Sequence, residues 1–330
     1  MRARHGLGSQ RPRRISTSPT LRIVIALSES RHDAFTGRAQ ARAVAIESQP
    51  IPMTSAPDYA EQLQSIPPVE AAFAACDPFR SPHLQPVIVT LPRRPDRWEK
   101  LVRRLARVGI SGARKFSAVD GATLEEAALG SLLDRDCVLS DAPTSHTQLT
   151  RPAIGCFLSH LKIWQRFRNG DGDRLVILED DATPSPHYSP AAVGEVLAAL
   201  PADADLVLLG CTIMAGLAAE TENPLFYRVY YFNGTYAYLL TRKGCAQLLQ
   251  QLLPMRAHID HQISHALLNH RTSLFAYAVR PALFDHDFSS WSDAYVPIAG
   301  SDEADRQLSA VLSSARGDLR KDGRITLHEE

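Results

Sequence analysis

The sequence contains little cysteine and no long apolar run. Its five cysteines are widely spaced and form no Cys-x-x-Cys pair, which argues against a zinc ribbon or redox dithiol and favours a reducing, cytoplasmic compartment. No apolar run approaches the ~20 residues of a membrane-spanning helix. The formal net charge is zero, so overall charge predicts no nucleic-acid binding and at most peripheral contact with a membrane. The remaining composition, 45% hydrophobic and 22% charged, is that of a soluble globular protein.

The N-terminal residues lack lysine and have an unusual composition. Residues 1–49 contain nine arginines, and prolines recur through 50–86 without a clear period. The one apolar run, "LRIVIAL", is too short for a signal-peptide core. We therefore predict that residues 1–84 are a mostly disordered basic and proline-rich extension. Two alternatives stay open: translation starting at Met53, or a basic tail that contacts membrane phosphates.

From residue 85 onward the sequence alternates between strand and helix patterns. "QPVIVTLPRRPDRWEKLVRRLARVGI" begins with a short apolar strand and then places Trp98, Leu101, Leu105 and Val108 on one helical face. "ARKFSAVDG" predicts a second strand. Strand, loop, helix and strand in this order indicate a parallel α/β unit. We assign residues 85–290 to one domain and residues 291–330 to a polar tail with a short helix.

Three acids follow an apolar strand directly: in "RLVILEDDAT", Leu175–Leu178 run into Glu179, Asp180 and Asp181. Ligands of parallel sheets bind beyond the carboxyl ends of the strands. Side chains alternate along a strand, so we expect Glu179 and Asp181 on one side and Asp180 on the other. Oxygen ligands suit Mg²⁺ or Mn²⁺, which commonly hold substrate phosphates. The alternative is that the acids begin a helix and complement its dipole.

The loop after the first predicted strand is basic. It contains Pro92, Arg93, Arg94, Asp96 and Arg97. Arginines at this place could bind a phosphate through paired hydrogen bonds, with Asp96 orienting one of them. The alternative is a solvated basic loop.

Other candidate residues are isolated in the sequence. Asp120, after the second predicted strand, could accept a hydrogen bond from a ribose or base, or could form a plain turn. Ser159 and His160 lie beside an apolar helical stripe, where a histidine is commonly a packed or surface residue. In "FDHDF", His286 could be an additional metal ligand, although a surface loop is the simpler interpretation.

Four stretches resemble glycosyltransferase family 25, the lipooligosaccharide and collagen galactosyltransferase type. They are "VIVTLPRRPDR", "IGCFLSHLKIWQ", "VILEDDA" and "GTYAYLLTRKGCAQLL", and they occur in the family's order. "GCFLSH" followed by "LEDDA" is the most specific feature. Pro152 and Ala153 stand where the family often has Gly-Glu, which puts in doubt any role for an acid there.

The resemblance implies a GT-A-type fold, a single α/β domain whose central, mostly parallel sheet is flanked by helices. It also implies a nucleotide-sugar donor, with Glu179 and Asp181 as the outer members of a DxD-like motif that binds Mn²⁺ or Mg²⁺. By the same resemblance, the donor would be bound by Pro92, Arg93, Arg94, Asp96, Arg97, Asp120, Ser159 and His160. The family's known activities are mostly inverting galactosyl transfers from UDP-galactose, in lipopolysaccharide, lipooligosaccharide or capsule synthesis.

Inversion requires a carboxylate that takes the proton of the acceptor hydroxyl. Our first candidate is Asp260 in "AHIDHQISHAL", and a helix cap is its alternative role. Asp180 is the second candidate.

Two rival functions remain. A nucleotidyltransferase that makes a nucleotide sugar would usually carry a glycine-rich first loop, and "LPRRPDR" has no glycine. A non-catalytic module that binds a glycan or nucleotide would be expected to have lost the acidic triplet, which is intact.

Overall fold

Short runs of β-branched and aromatic residues form a central sheet in the computed structural model, which describes residues 59, 62–63, 66, 85–137, 139–140, 148–213, 217–268 and 272–287. The strands in chain order are Val87–Thr90 (β1), Arg114–Ser117 (β2), Arg174–Glu179 (β3), Ala182–Pro184 (β4), Leu206–Ile213 (β5), Ala218–Glu220 (β6), Phe226–Val229 (β7), Phe232–Thr241 (β8), Ala276–Val279 (β9) and Phe284–His286 (β10). Eight of them form one sheet in the order β2-β1-β3-β8-β5-β9-β7-β6, and β4 pairs with β10.

Most strands of the large sheet run in the same direction. β1 is parallel to β2 and β3, and β5 is parallel to β9. β8 lies between β3 and β5 and is antiparallel to both; β7 is antiparallel to β9 and to β6. Only β7 and β8 therefore oppose the common direction among the described strands. The predicted α/β fold with a mostly parallel central sheet is confirmed.

Helices lie on both sides of this sheet. They are Pro95–Arg107 (α1), Glu126–Leu129 (α2), Arg151–Asn169 (α3), Pro190–Ala198 (α4), Arg242–Gln251 (α5) and Ile259–Leu268 (α6). α3 begins where the Thr150 side chain accepts a hydrogen bond from the Ala153 amide, with proline in the first turn. No described helix has the length and apolarity that crossing a bilayer would require.

The two faces of the sheet have separate hydrophobic cores. On one face, α3 buries Phe157, Leu161 and Trp164 together with Ile177 of β3. On the other face, α1 buries Leu101 and Leu105 together with strand residues such as Ile88 and Val176, while Trp98 and Val108 are partly buried beside them. The helical face predicted for α1 is confirmed.

A few residues of the predicted extension 1–84 are described, and they contact the domain. Leu63 and Ile66 are buried in the core. The Gln62 side chain donates a 2.8 Å hydrogen bond to the Leu129 carbonyl, and the Lys162 ammonium donates to the Ile66 carbonyl. The rest of residues 1–84 and the tail 291–330 lie outside the described residues. The predicted disorder of the extension, the alternative start at Met53 and the tail with its short helix therefore stay predictions.

Candidate functional site

A cleft lies at the carboxyl ends of β1, β2 and β3, with α3 forming one wall. This is where ligands of parallel sheets are expected. Eight of the predicted site residues line it: Arg93, Arg97, Asp120, Ser159, His160, Glu179, Asp180 and Asp181. The other five, Pro92, Arg94, Asp96, Asp260 and His286, are not among its lining residues.

A glycine in the "GCFLSH" stretch brings α3 close to the loop after β2. A Cβ atom added to Gly155 would lie 2.6 Å from the Val119 carbonyl oxygen and the Gly121 amide, so a side chain does not fit there. One turn later, Ser159 donates to the Gly155 carbonyl (2.6 Å) and accepts from the Val119 amide (2.8 Å). Ser159 therefore fixes the wall of the cleft, and direct contact with a donor stays a prediction.

The three acids point to three different partners. Glu179 accepts a 2.6 Å hydrogen bond from the Thr235 hydroxyl of β8, whereas Asp180 pairs with Arg97 of α1 at 3.1 Å. Asp181, in the turn beyond β3, lies 3.3 Å from His286 of β10. The expected separation of Glu179 from Asp180 is present. The alternative that the acids begin a helix is wrong, because β4 follows them.

A chain of buried hydrogen bonds leads to Glu179. The Trp164 indole donates to the Tyr238 oxygen (2.8 Å), which lies 2.7 Å from His160 Nδ1, and His160 Nε2 lies 3.2 Å from Glu179 Oε1. The Glu179 carboxylate oxygen accepts, so Nε2 carries the imidazole proton, and the Tyr238 hydroxyl, which accepts from the indole N–H, donates to Nδ1. Glu179 Oε1 thus receives hydrogen bonds from both His160 and Thr235. These contacts fix the carboxylate, as outer partners of metal ligands do.

Asp181 has an oxygen that the described protein does not satisfy. Its side chain is buried, and Oδ1 accepts no hydrogen bond from any described residue. A buried carboxylate oxygen without a partner is unfavourable. A cation bound at the cleft would compensate for it, and Asp181, Glu179 and the adjacent His286 provide ligand types that fit Mn²⁺ or Mg²⁺.

Asp180 is buried together with its arginine partner. The side chains of Arg97 and Asp180 are 5% and 10% exposed. Burial raises the pKa of Asp180 to about 6; hydrogen bonding to Thr90 opposes this increase, the charge of Asp181 adds to it, and Arg97 opposes it. Because Arg97 is bound to Asp180, its fork of donors is only partly available to a phosphate.

Two arginines of the basic loop each form an ion pair with an aspartate. Arg93 Nε donates to Asp120 at 2.7 Å, and Asp120 also accepts from the Ala122 amide at 3.1 Å. Arg94 donates to both oxygens of Asp96, at 3.0 and 2.8 Å, and this hydrogen bonding lowers the pKa of Asp96 to about 2. The prediction that Asp96 orients an arginine is confirmed for Arg94.

Asp260 lies in the first turn of α6. Its carboxylate accepts hydrogen bonds from the Gly234 amide (2.8 Å) and the His261 amide (2.9 Å). Gly234 precedes Thr235, the residue that contacts Glu179, so Asp260 is connected to the cleft through two consecutive residues of β8. The cap interpretation is wrong, because α6 begins at Ile259 and Asp260 lies inside its first turn, where it accepts from the amide of the next residue. The role of a catalytic base stays a prediction.

A sequence model described as glycosyltransferase family 25 (LPS biosynthesis protein) matches residues 83–263. The chain belongs to glycosyltransferase family 25. The matched segment includes β1, β3, β8 and all of the residues that line the cleft.

Relatives in this family are longer proteins. A glycosyltransferase 25 family member of Drosophila melanogaster is 27% identical over 71% of this chain and 40% of its own length. A family member of Anopheles gambiae is 27% identical over 63% and 35%. The human protein named inactive glycosyltransferase 25 family member 3 is 39% identical over 28% of this chain and 16% of its own length. The chain thus spans less than half of these relatives, and family membership alone does not decide activity.

Among solved structures, the inositol-1-phosphate CTP transferase from T. maritima is similar at 14% identity, over 63% of this chain and 72% of that chain. Its TM-score of 0.31 is too low to bear on function.

The cleft also contains three potential metal ligands that the sequence interpretation did not bring together. Cys156, His160 and Glu179 place one ligand atom each within 4.8 Å of the others, and no other such group of three occurs among the described residues. Burial and then the charge of Glu179 raise the pKa of the Cys156 thiol well above its usual range. Cysteine and histidine four residues apart on a helix share one face, so the spacing in "GCFLSH" could have indicated this group.

Proposed function

We propose that this chain is a metal-dependent glycosyltransferase that moves a hexose, galactose from UDP-galactose, onto a saccharide acceptor with inversion. The observation that carries the proposal is the buried Asp181 oxygen, which has no described hydrogen-bond donor and lies in a cleft beyond the strand ends. Membership of a glycosyltransferase family supplies the reaction class.

Glu179, Asp181 and His286 would hold the metal ion, Mn²⁺ or Mg²⁺. Bound there, the ion would act as a Lewis acid that stabilises the negative charge of the UDP leaving group. Glu179 is fixed by Thr235 and His160, and Asp181 adjoins His286 at 3.3 Å. These contacts hold Glu179 and Asp181 separately: the ligand atoms of Glu179, Asp181 and His286 do not all lie within 4.8 Å of one another, so the three side chains would have to move together around the ion.

The donor would lie along the loops after β1 and β2. Arg93 is about half exposed beside Asp120, and it can bind a diphosphate oxygen while Asp120 accepts from the ribose or base. Pro92, Arg94 and Asp96 would shape the outer part of this loop. Arg97 would contribute positive charge from beneath, and Ser159 and His160 would form the opposite wall.

The acceptor hydroxyl would attack the anomeric carbon as the bond from that carbon to the UDP oxygen breaks. Asp260 would take the hydroxyl proton, yielding a glycoside and UDP. We prefer Asp260 to Asp180 because Asp180 is 10% exposed and paired with Arg97, whereas Asp260 is only half-buried. Asp180 remains the second candidate.

The acceptor would be a saccharide or lipid-linked saccharide of lipopolysaccharide, lipooligosaccharide or capsule. The description of the family as LPS biosynthesis proteins supports this context. The protein would then act in the cytoplasm, with peripheral contact at the inner face of the membrane.

Calorimetry with UDP and then UDP-galactose, with and without Mn²⁺, tests the donor site. We expect metal-dependent binding that Asp181→Ala loses. Asp171→Ala is the matched control, because Asp171 is an exposed acid in the turn that precedes β3, at the opposite end of that strand. If the folded wild-type protein does not bind UDP, the proposal is wrong.

Product assays then separate the possible reactions. Release of UDP from UDP-galactose that depends on added saccharide acceptors supports transfer. Binding of UDP-galactose without turnover on any acceptor would indicate a non-catalytic module. Release of pyrophosphate from UTP and a sugar 1-phosphate would instead indicate a nucleotidyltransferase.

A further inference from the structure

Three side chains of different chemistry meet at the floor of the cleft. Cys156 and His160 lie one turn apart on α3, and Glu179 faces them from the end of β3. One sulfur, one nitrogen and one oxygen atom of these residues all lie within 4.8 Å of one another. All three residues line the cleft, so a bound ion could also contact a small molecule or water from that side.

One of the ligand-to-ligand distances matches a tetrahedral zinc site, and the sulfur lies within about 1 Å of doing so. With Zn–N and Zn–O bonds of about 2.0–2.1 Å and a Zn–S bond of about 2.3 Å, neighbouring ligand atoms lie about 3.3–3.6 Å apart. His160 Nε2 and Glu179 Oε1 are 3.2 Å apart, which already fits. The sulfur lies within 4.8 Å, so a movement of about 1 Å brings it into range.

The surroundings of His160 also suit a metal ligand. Its Nδ1 lies 2.7 Å from the Tyr238 oxygen, which can accept a hydrogen bond from Nδ1–H when Nε2 binds an ion. A second ring nitrogen held in this way is the usual arrangement of metal-binding histidines. The imidazole is fully buried, so it has little freedom to turn away.

We propose that Cys156, His160 and Glu179 form a second metal site, selective for Zn²⁺ or a chemically similar thiophilic ion. Thiolate and imidazole ligands favour such ions, whereas Mg²⁺ and Mn²⁺ prefer oxygen. Because Glu179 belongs to both ligand sets, bound Zn²⁺ inhibits the metal-dependent UDP binding; this consequence alone rests on the proposed function.

Titration of the reduced, metal-stripped full chain with Zn²⁺ in the absence of nucleotide tests the site directly. Calorimetry is expected to show binding that Cys156→Ser weakens at least about tenfold, since even outer partners of metal ligands have effects of that size. Cys211→Ser is the matched control, because Cys211 is another half-buried cysteine, on β5, and does not line the cleft. Equal Zn²⁺ affinity in wild type and Cys156→Ser overturns the proposal.

Co²⁺ provides a readout that does not depend on a variant folding. A thiolate bound to Co²⁺ produces strong charge-transfer absorption, which the wild type and Cys211→Ser should show and Cys156→Ser should lack. Absence of this band in the folded wild type overturns the proposal. Asp181→Ala is expected to keep Zn²⁺ binding while losing metal-dependent UDP binding, so failure of the donor site and failure of the zinc site are distinguishable.

Discussion

Removing the hydroxyl of Tyr238 tests whether the buried hydrogen-bond chain controls the metal site. Tyr238→Phe leaves the Trp164 N–H without its acceptor at 2.8 Å and His160 Nδ1 without its partner at 2.7 Å. Each unsatisfied buried group costs about 1–3 kcal/mol, so we expect unfolding free energy to fall by roughly 2–6 kcal/mol. Urea denaturation of the metal-free protein measures this loss.

The same variant should also weaken metal binding. Without the hydroxyl that contacts Nδ1, the His160 ring is held less firmly, so its 3.2 Å hydrogen bond to Glu179 should weaken. Loss of an outer partner of a metal ligand typically reduces metal affinity about 10–100-fold. We therefore expect a shift of that size in the Mn²⁺ concentration that supports half-maximal UDP binding.

Tyr277→Phe is the matched control for both measurements. Tyr277 is buried on β9, and its hydroxyl donates to Asp203 at 2.9 Å, away from the cleft. Its loss should cost about 0.5–1.5 kcal/mol and leave the Mn²⁺ requirement unchanged. If Tyr238→Phe destabilises the fold but keeps the wild-type Mn²⁺ requirement, the hydrogen-bond chain contributes only to stability. The reasoning that it controls the metal site is then refuted.

Three further experiments test packing and charge. Gly155→Ala should destabilise the protein by about 1–3 kcal/mol through overpacking. Its control, Gly194→Ala, has no atom within 4 Å of the added Cβ and should stabilise α4 by up to about 1 kcal/mol. Equal melting temperatures of the two variants would contradict this. Ile66→Ala should cost about 2–5 kcal/mol in urea denaturation because Ile66 is 1% exposed, and a loss below about 0.5 kcal/mol would mean that this segment is not packed. Arg97→Met should destabilise the protein by about 3–5 kcal/mol at pH 8, and Asp180→Asn in the same chain should restore part of the loss; a double-mutant cycle with no coupling would contradict the buried pair.

Local patterns predicted the elements and much of the cleft, because strand and helix periods are properties of neighbouring residues. The acids after β3 and the basic loop after β1 were placed at the cleft by the rule for parallel sheets. The hydrogen-bond chain was not predictable in this way. His160 and Tyr238 are 78 residues apart, and they meet only because antiparallel β8 inserts beside β3. The position of β8 beside β3 is set by the tertiary fold, which local sequence patterns do not show.

The position of His286 illustrates a second limit. The sequence suggested it only as an additional ligand in a loop, whereas the structure places it on β10, three residues long, paired with β4. A three-residue strand has too few positions for a period-2 pattern to be distinguished from chance. The pairing aligns His286 with Ala182, next to Asp181, and thereby brings the imidazole to the acids.

The acids differ in how strongly they indicate a bound cation, which matters in a family with members named inactive. Glu179 has protein donors in Thr235 and His160, and Asp180 has Arg97, so both are accounted for by protein contacts alone. Asp181 keeps a buried oxygen that no described residue satisfies, a cost of about 1–3 kcal/mol that a bound cation would offset. A chain without catalytic function would lose only the contact of Asp181 with His286 if a residue that packs well replaced it. The identity of the residue at this position, rather than the presence of an acidic triplet, is therefore the better indicator of a working donor site.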